Sequence, residues 1–284
     1  MKIKNLTLSS KTVLAPLANF SDHAFRILCR RFQAALVFTQ KFNINALVNN
    51  FNKYQKDLEV YPEEHPISIQ LIGEDPQILA KAMDLLKSYD YDAFDLNLGW
   101  PAPDALRYGL GGALLKHPEK ISQLMSTIVN ATNKVVSAKI RIGYDKFSIN
   151  ALEIAKIIER EGADFLTIHG RTVAAGYSGE VNFDVIQVVK ETVNIPIIGN
   201  GDIVDSTSAK RMLKKTKCDL IMLGRAAMKN PRIFSEINES IKGRRLPPLS
   251  QEEHRKILQE YDALVKRTNS SQSRNSPFFR HNFV

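Results

Sequence analysis

An α/β barrel of eight parallel strands alternating with helices is the fold this sequence predicts. Three observations lead there: eight short apolar runs rich in β-branched residues, amphipathic stretches between most of them, and polar or glycine-rich groups closing six of the eight. The strands are expected at residues 12–16, 35–39, 66–70, 93–97, 135–140, 164–168, 195–199 and 218–223. Each is apolar on both faces, as parallel strands covered by helices should be. Helical periodicity fills residues 76–88, 118–131, 151–162, 183–192 and 206–215. An open doubly wound sheet is the competing arrangement, and eight strands favour the (β/α)8 barrel.

The strand ends carry the polar groups. The third run closes on Gln70, the fourth on Asn97-Leu98-Gly99 and the fifth on Lys139-Ile140-Arg141. The sixth closes on His169-Gly170-Arg171, the seventh on Asn200-Gly201-Asp202 and the eighth on Gly224-Arg225. In a barrel these positions converge on the C-terminal face, where active sites are built. Six such ends are hard to explain as loop solubility.

The barrel is expected to occupy residues 1–238 and a short, cut-back helical segment residues 239–284. From Lys242 onward the chain holds nine Lys/Arg against four Asp/Glu, a local excess of +5. Pro247-Pro248 reads as a linker, residues 251–267 as a helix, 268–276 as a polar flexible stretch and Pro277-Phe278-Phe279 as the end of the tail. No internal repeat or low-complexity run is present.

Bulk properties narrow the class. With 284 residues, 44% of them hydrophobic, the chain can bury a large core, so global disorder is excluded. A formal charge of +9 favours a polyanionic partner over a cationic one. Cys29 and Cys218 form neither a disulfide framework nor a metal-ligand cluster, which suits a reducing cytoplasm, and no metal is expected. Ser9, Ser10 and Lys11 break up any apolar signal run, and no apolar stretch is long enough to span a bilayer. A soluble cytoplasmic monomer is expected.

One loop stands apart. An apolar strand runs into Asn97 and Gly99, and Pro101 and Pro103 then hold a rigid turn that presents Trp100, the chain's one tryptophan. Indole offers a neutral N–H and no proton that leaves near neutral pH. The position suggests catalysis; the residue type does not. Asn200-Gly201-Asp202 with Gly224-Arg225 suits a phosphate cradle after strands seven and eight, although a Gly-Asp pair alone is more often simply a turn. Lys139 can stabilise negative charge developing on a bound ring, and Gln70 has an amide suited to a heterocycle edge. His169 could be a packed imidazole, but the adjacent Gly170-Arg171 leaves space and adds a donor. Gly109-Leu110-Gly111-Gly112-Ala113 lacks a dinucleotide-fold context and reads as a close-approach turn after the Trp100 loop. Cys29 and Cys218 read as inert small hydrophobes.

Taken together, these segments resemble the tRNA-dihydrouridine synthase family. The likeness runs through Leu14-Ala15-Pro16-Leu17-Ala18, Ser21-Asp22, Phe25-Arg26, Gln70-Leu71-Ile72-Gly73 and Asn97-Leu98-Gly99. It continues through the glycine run with Leu114-Leu115, then Lys139-Ile140-Arg141-Ile142-Gly143, His169-Gly170-Arg171, Gly176-Tyr177-Ser178-Gly179, Gly199-Asn200-Gly201-Asp202-Ile203 and Gly224-Arg225. Order and spacing hold across nearly the whole barrel.

The resemblance implies a flavin-binding barrel followed by a helical tRNA-binding domain. It implies FMN held by Ala15, Pro16, Leu17, Gln70, Lys139, His169, Asn200, Gly201, Asp202, Gly224 and Arg225. It also implies a substrate base met by Asn97, Arg141 and Arg171, and catalytic roles at position 100, His169 and Lys139. NADPH, or NADH, would reduce the flavin, hydride would pass to C6 of a flipped uridine, and a cysteine would protonate C5.

Three positions depart from the family pattern. Trp100 replaces the cysteine, Asp104 stands where a lysine is usual, and Gln40 stands where an acidic residue is common. The segment after the barrel is also shorter than the family's helical domain. A well-placed general acid is worth about 10²–10⁴ in rate, so cofactor binding and NADPH oxidation should survive while uridine reduction is strongly impaired. Water, or an imidazolium at His169, is left to protonate C5 slowly, and the indole could stack on either ring or block the pocket. Two other classes compete: a flavin barrel reducing a small pyrimidine, as dihydroorotate dehydrogenases do, and a non-catalytic RNA-binding relative.

Overall fold

Backbone pairing in the computed structural model, which describes residues 1–270, accounts for strands that are apolar on both faces. A small antiparallel pair, β1 (Lys2–Ile3) and β2 (Leu6–Thr7), precedes eight parallel strands. These are β3 (Thr12–Leu14), β4 (Val37–Asn43), β5 (Ile67–Ile72), β6 (Ala93–Leu98), β7 (Val135–Arg141), β8 (Phe165–His169), β9 (Ile197–Asn200) and β10 (Leu220–Leu223). They pair in the order β3-β10-β9-β8-β7-β6-β5-β4. The seam between β3 and β4 is closed by the Ala35 N–H donating to the Thr12 carbonyl at 2.7 Å and the Leu14 N–H donating to the Leu36 carbonyl at 2.9 Å. The result is the (β/α)8, or TIM, barrel.

Register sorts the side chains into two cores. Val13, Leu36, Phe38, Ala93, Val135, Phe165, Ile198, Leu220 and Met222 fill the barrel interior, and Ile3, Leu6 and Leu8 from the N-terminal hairpin cluster with them. The alternate residues, such as Ile69, Leu96, Ala138, Ile140, Ile168 and Ile221, point outward under the helices. The helices are α1 (His23–Arg31), α2 (Ile44–Asn49), α3 (Phe51–Leu58), α4 (Pro76–Leu86), α5 (Pro103–Arg107), α6 (Pro118–Asn130) and α7 (Ala151–Arg160). They continue with α8 (Phe183–Thr192), α9 (Ser206–Thr216), α10 (Arg225–Lys229), α11 (Ile233–Ile241) and α12 (Gln251–Thr268).

All eight expected strands are present, and β4 runs furthest past its expected end. β4 continues to Asn43 because its pairing with β5 slips between Phe38 and Lys41. Such a bulge lets a strand carry on past residues that break the alternating pattern. α2, α3 and α10 have too few residues to show a helical period against neighbouring strands. α11 runs through residue 238, so the chain leaves the barrel within a helix.

α12 begins with Ser250 and Glu253 capping each other and docks on α1. Ile257, Tyr261, Leu264 and Val265 pack on Ala24, Ile27 and Leu28, and Arg267 pairs with Glu63 at 2.6 Å. Beyond Ser270, the remainder of the expected flexible stretch and the aromatic tail lie outside the described residues. No described helix is long and apolar enough to cross a membrane, and no group of three or more His, Cys, Asp or Glu among the described residues could hold a metal.

Beneath α1 sits a buried ion pair. Glu64 is fully buried and accepts from Arg26 Nε at 2.6 Å, with His23 Nδ1 at 3.2 Å. Burial pushes its carboxyl upward, but Arg26 and the His23 hydrogen bond hold it below the usual range. A depressed carboxylate contributes stability above its unfolded pKa of about 4.3 and loses that contribution as pH falls through the folded value. Replacing Arg26 strands the buried charge. Arg26→Met is therefore expected to lower unfolding free energy by about 3–5 kcal/mol in urea titrations at pH 7, with a smaller deficit at pH 4.

Candidate active site

The inward positions of the strands turn polar toward the C-terminal mouth, and they do so as a connected chain. Asp95 is fully buried and accepts from Gln70 Nε2 at 2.7 Å and Ser137 Oγ at 2.6 Å. Gln70 Oε1 in turn accepts from Asn97 Nδ2 at 2.8 Å. Asn97 Oδ1 accepts the backbone N–H groups of Gly99 at 3.1 Å and Trp100 at 2.9 Å. An ionised carboxylate only accepts, so Asp95 sets the direction of every amide in this chain, ending at the Trp100 loop. Burial pushes the Asp95 carboxyl up to about 6, against the hydrogen bonds from Gln70 and Ser137 and the charge of Lys139.

The Trp100 loop is pinned from two more sides. Gly112 donates its N–H to the Trp100 carbonyl at 3.0 Å. A Cβ on Gly111, whose φ is +58°, would lie 3.0 Å from both Trp100 Cβ and its carbonyl oxygen. The glycine run is thus a close-approach turn against this loop. Arg141 donates from Nε to the Gly99 carbonyl at 2.9 Å and from Nη1 to the carbonyls of Thr172 at 2.9 Å and Gly176 at 2.6 Å. Its guanidinium braces loops, and burial lowers it to about 10.

From β7 onward the mouth carries a cationic wall. Lys139 Nζ donates to Asn200 Oδ1 at 3.1 Å, and burial, then Arg141, lower its ammonium to about 8. Asp202 accepts from Arg171 Nη1 at 3.0 Å and from Arg225 Nη2 at 3.1 Å, which holds it below the usual carboxylate range. Arg171 also reaches the Gly179 carbonyl at 2.9 Å. Gly201 has φ +128°, and a Cβ there would come within 2.8 Å of Val181 and 3.1 Å of the His169 ring. Gly201→Ala is expected to destabilise the protein by about 1–3 kcal/mol, read as a lowered thermal midpoint.

His169, 7% exposed, is held far below its ordinary pKa by burial first and then by Lys139, Arg141, Arg171 and Arg225. It is a neutral imidazole across the working pH range. Burial and the four neighbouring cations both disfavour the imidazolium that would protonate a substrate.

The mouth opens into a cavity of about 1140 Å³. Of the residues singled out in the sequence, Ala15, Pro16, Leu17, Asn97, Trp100, Lys139, Arg141, His169, Asn200, Gly201, Asp202, Gly224 and Arg225 line it. Gln70 and Arg171, 1% and 4% exposed, lie just beneath its wall. Cys29 and Cys218 do not reach it, and burial raises both thiols.

A family profile described as Dihydrouridine synthase (Dus) matches residues 13–283. The chain belongs to the dihydrouridine synthase family. Among curated relatives it is similar to "tRNA-dihydrouridine synthase B" of Pasteurella multocida, 38% identical over 234 residues, 82% of this chain and 70% of that one. The protein of that name from Proteus vulgaris is 37% identical over 263 residues, 92% of this chain and 81% of that one. The one from Vibrio vulnificus is 36% identical over 259 residues, 91% and 80% of the two chains. Among solved structures, a mutant FabK from Thermotoga maritima aligns with TM-score 0.48 at 14% identity, over 80% of this chain and 64% of that one.

For this dihydrouridine synthase family member, sequence reasoning missed two parts of the mouth. Tyr177 stands with its ring 5.6 Å from the Arg141 guanidinium and 5.4 Å from that of Arg225, and it was visible only as part of a Gly-Tyr-Ser-Gly segment. Arg244 and Arg245 line the outer cavity from beyond α11. Their place was signalled only by the basic excess after the barrel.

Proposed function

We propose that this chain reduces uridines in tRNA to 5,6-dihydrouridine, with FMN as the resident cofactor, NADPH or NADH as reductant and turnover lowered by Trp100. The observation that carries the reading is the wall of Lys139, Arg141, Arg171 and Arg225 around a neutral His169. This donor set suits a phosphorylated, electron-accepting ring. Asp202 aims Arg225, Gly201 leaves backbone room, and Asn200 orients Lys139, a cradle of charge-assisted and main-chain donors appropriate to a phosphate. Ala15, Pro16, Leu17, Gln70, Lys139, His169, Asn200, Gly201, Asp202, Gly224 and Arg225 would hold the cofactor. When bound, FMN supplies the hydride that adds to C6 of the base.

The remaining steps fall to the chain's own residues. Lys139, as ammonium, stabilises negative charge developing beside it. Asn97 and Arg141 hold the loop that would face the base, and Arg171 fixes Asp202. Lys210, Lys229, Arg244 and Arg245 along the outer cavity, with the net charge of +9, suit the phosphates of a tRNA whose target base is flipped inward. The residues from 239 onward would form the tRNA-binding segment. At position 100 the indole has no proton to give C5.

The purified protein is expected to be yellow, to release FMN on denaturation and to bleach with NADPH. A colourless protein that takes up no added FMN would overturn the reading.

A further inference from the structure

We infer that Lys41 is the proton donor to C5 in this chain, in place of the acid that position 100 lacks. The inference rests on the uridine-reducing function proposed above. It begins with the β4 bulge. Phe38 pairs with Ser68 and Lys41 with Gln70, so β4 advances three residues while β5 advances two. Residues paired across a parallel ladder point to the same face, and the extra residue exchanges the faces of everything after it. Without the bulge Gln40 would stand opposite Gln70; with it, Lys41 does. Gln70 points inward, toward Asp95 and Asn97, so Lys41 is on the inward face of β4, against the Trp100 ring rather than in the lining of the cavity itself.

Its ammonium lies 3.6 Å from the centroid of the Trp100 ring, on the loop where the family pattern places the acid. The side chain is half-buried and has no hydrogen-bond or ion-pair partner among the described residues. Reaching a uracil ring beside the indole takes a rotation of the flexible lysine stem, and no such partner opposes it. Burial lowers the ammonium below the ordinary lysine value, with no neighbouring charge contributing, so the proton leaves more readily than from a solvated lysine. The aromatic face favours the charged form, which keeps the donor loaded at neutral pH.

The buried candidates are spent. His169 is neutral, Arg141 and Lys139 are engaged with carbonyl and amide oxygens, and both thiols are buried elsewhere. Of the elements packed on β4, the strands β3 and β5 and the helix α2 carry no titratable side chain. α1 brings His23, Arg26, Cys29, Arg30 and Arg31 to the outer side of the strand. Asp95 and Lys139 stand on neighbouring inward positions.

The step balances simply. Hydride adds at C6, and the electron pair of the C5–C6 double bond forms a new bond from C5 to the Lys41 proton. The amine left behind regains its proton from water.

Trp100 is the chain's one tryptophan, so its emission reports the Lys41 charge directly. In the protein as purified, emission should titrate with a midpoint below about 10.4. Lys41→Met and the more polar Lys41→Gln should both abolish that titration. In single turnovers of the pre-reduced protein with unmodified tRNA, the parent rate should fall as pH rises through the same midpoint, because the donor is the protonated form. Both variants should lose about 10²–10⁴ of that rate.

Emission that titrates identically in either variant overturns the inference. So does dihydrouridine formation as fast in the variants as in the parent, which leaves the proposed function standing. Dihydrouridine made by Trp100→Cys but not by the parent has the same consequence. Dihydrouridine made by neither overturns both.

Discussion

Trp100→Cys is expected to raise dihydrouridine formation on unmodified tRNA over the parent chain, by less than the about 10²–10⁴ that a general acid is worth in full, because Lys41 already supplies a proton. The loop that presents position 100 is built as if for chemistry: Asn97 Oδ1 grips the N–H groups of residues 99 and 100, Arg141 holds the Gly99 carbonyl, and Gly112 donates to the Trp100 carbonyl. None of these bonds involves the side chain at 100. A thiol placed there inherits the same backbone, beside the same cavity, and brings a dissociable proton. It also removes a large ring from the cavity wall, so the gain should appear in the rate constant for the base-reducing step and in the apparent affinity for tRNA. The rate at which the proposed reductant, NADPH, reduces the cofactor should change little, since the bonds that fix Lys139 on Asn200 and Asp202 on Arg171 and Arg225 do not involve the side chain at 100.

Lys139→Met is expected to act on the other half of the reaction, lowering the rate of flavin reduction by about 10²–10³ in stopped-flow measurements. Lys139 is the ammonium fixed by Asn200 Oδ1 among the inward strand-end residues, and burial sets its pKa to about 8. Its useful form is protonated. The parent's flavin-reduction rate should therefore be flat below pH 7 and decline as pH rises through about 8. Lys139→Met should remove that decline together with most of the rate. A pH profile unchanged by the substitution would assign the titration to another group.

The barrel was largely legible because its signals are local. Apolar runs on both faces mark parallel strands, and six polar strand ends mark the mouth; thirteen of the singled-out residues line one cavity there. Trp100 stood out by chemistry alone. What escaped depends on relations between segments. Lys41 lies in a run whose alternation gives no inward lysine; only the slip between β4 and β5 turns it toward Gln70. Arg141 reads as a ligand contact until its three carbonyl partners, on loops up to 42 residues away, are seen. His169 reads as a possible acid until its burial and the four cations brought together from three strand ends are seen. Pairing register and summed charge are tertiary properties, and no single segment encodes them.

The central claim is that the mouth is complete for cofactor and base, while position 100 has lost its acid. Dihydrouridine in tRNA from a strain lacking its own synthases, supplied either with this chain or with Trp100→Cys, measures it directly. The account predicts a low but detectable level with the parent and a much higher one with the cysteine. Equal levels with both, or none with either, would contradict it.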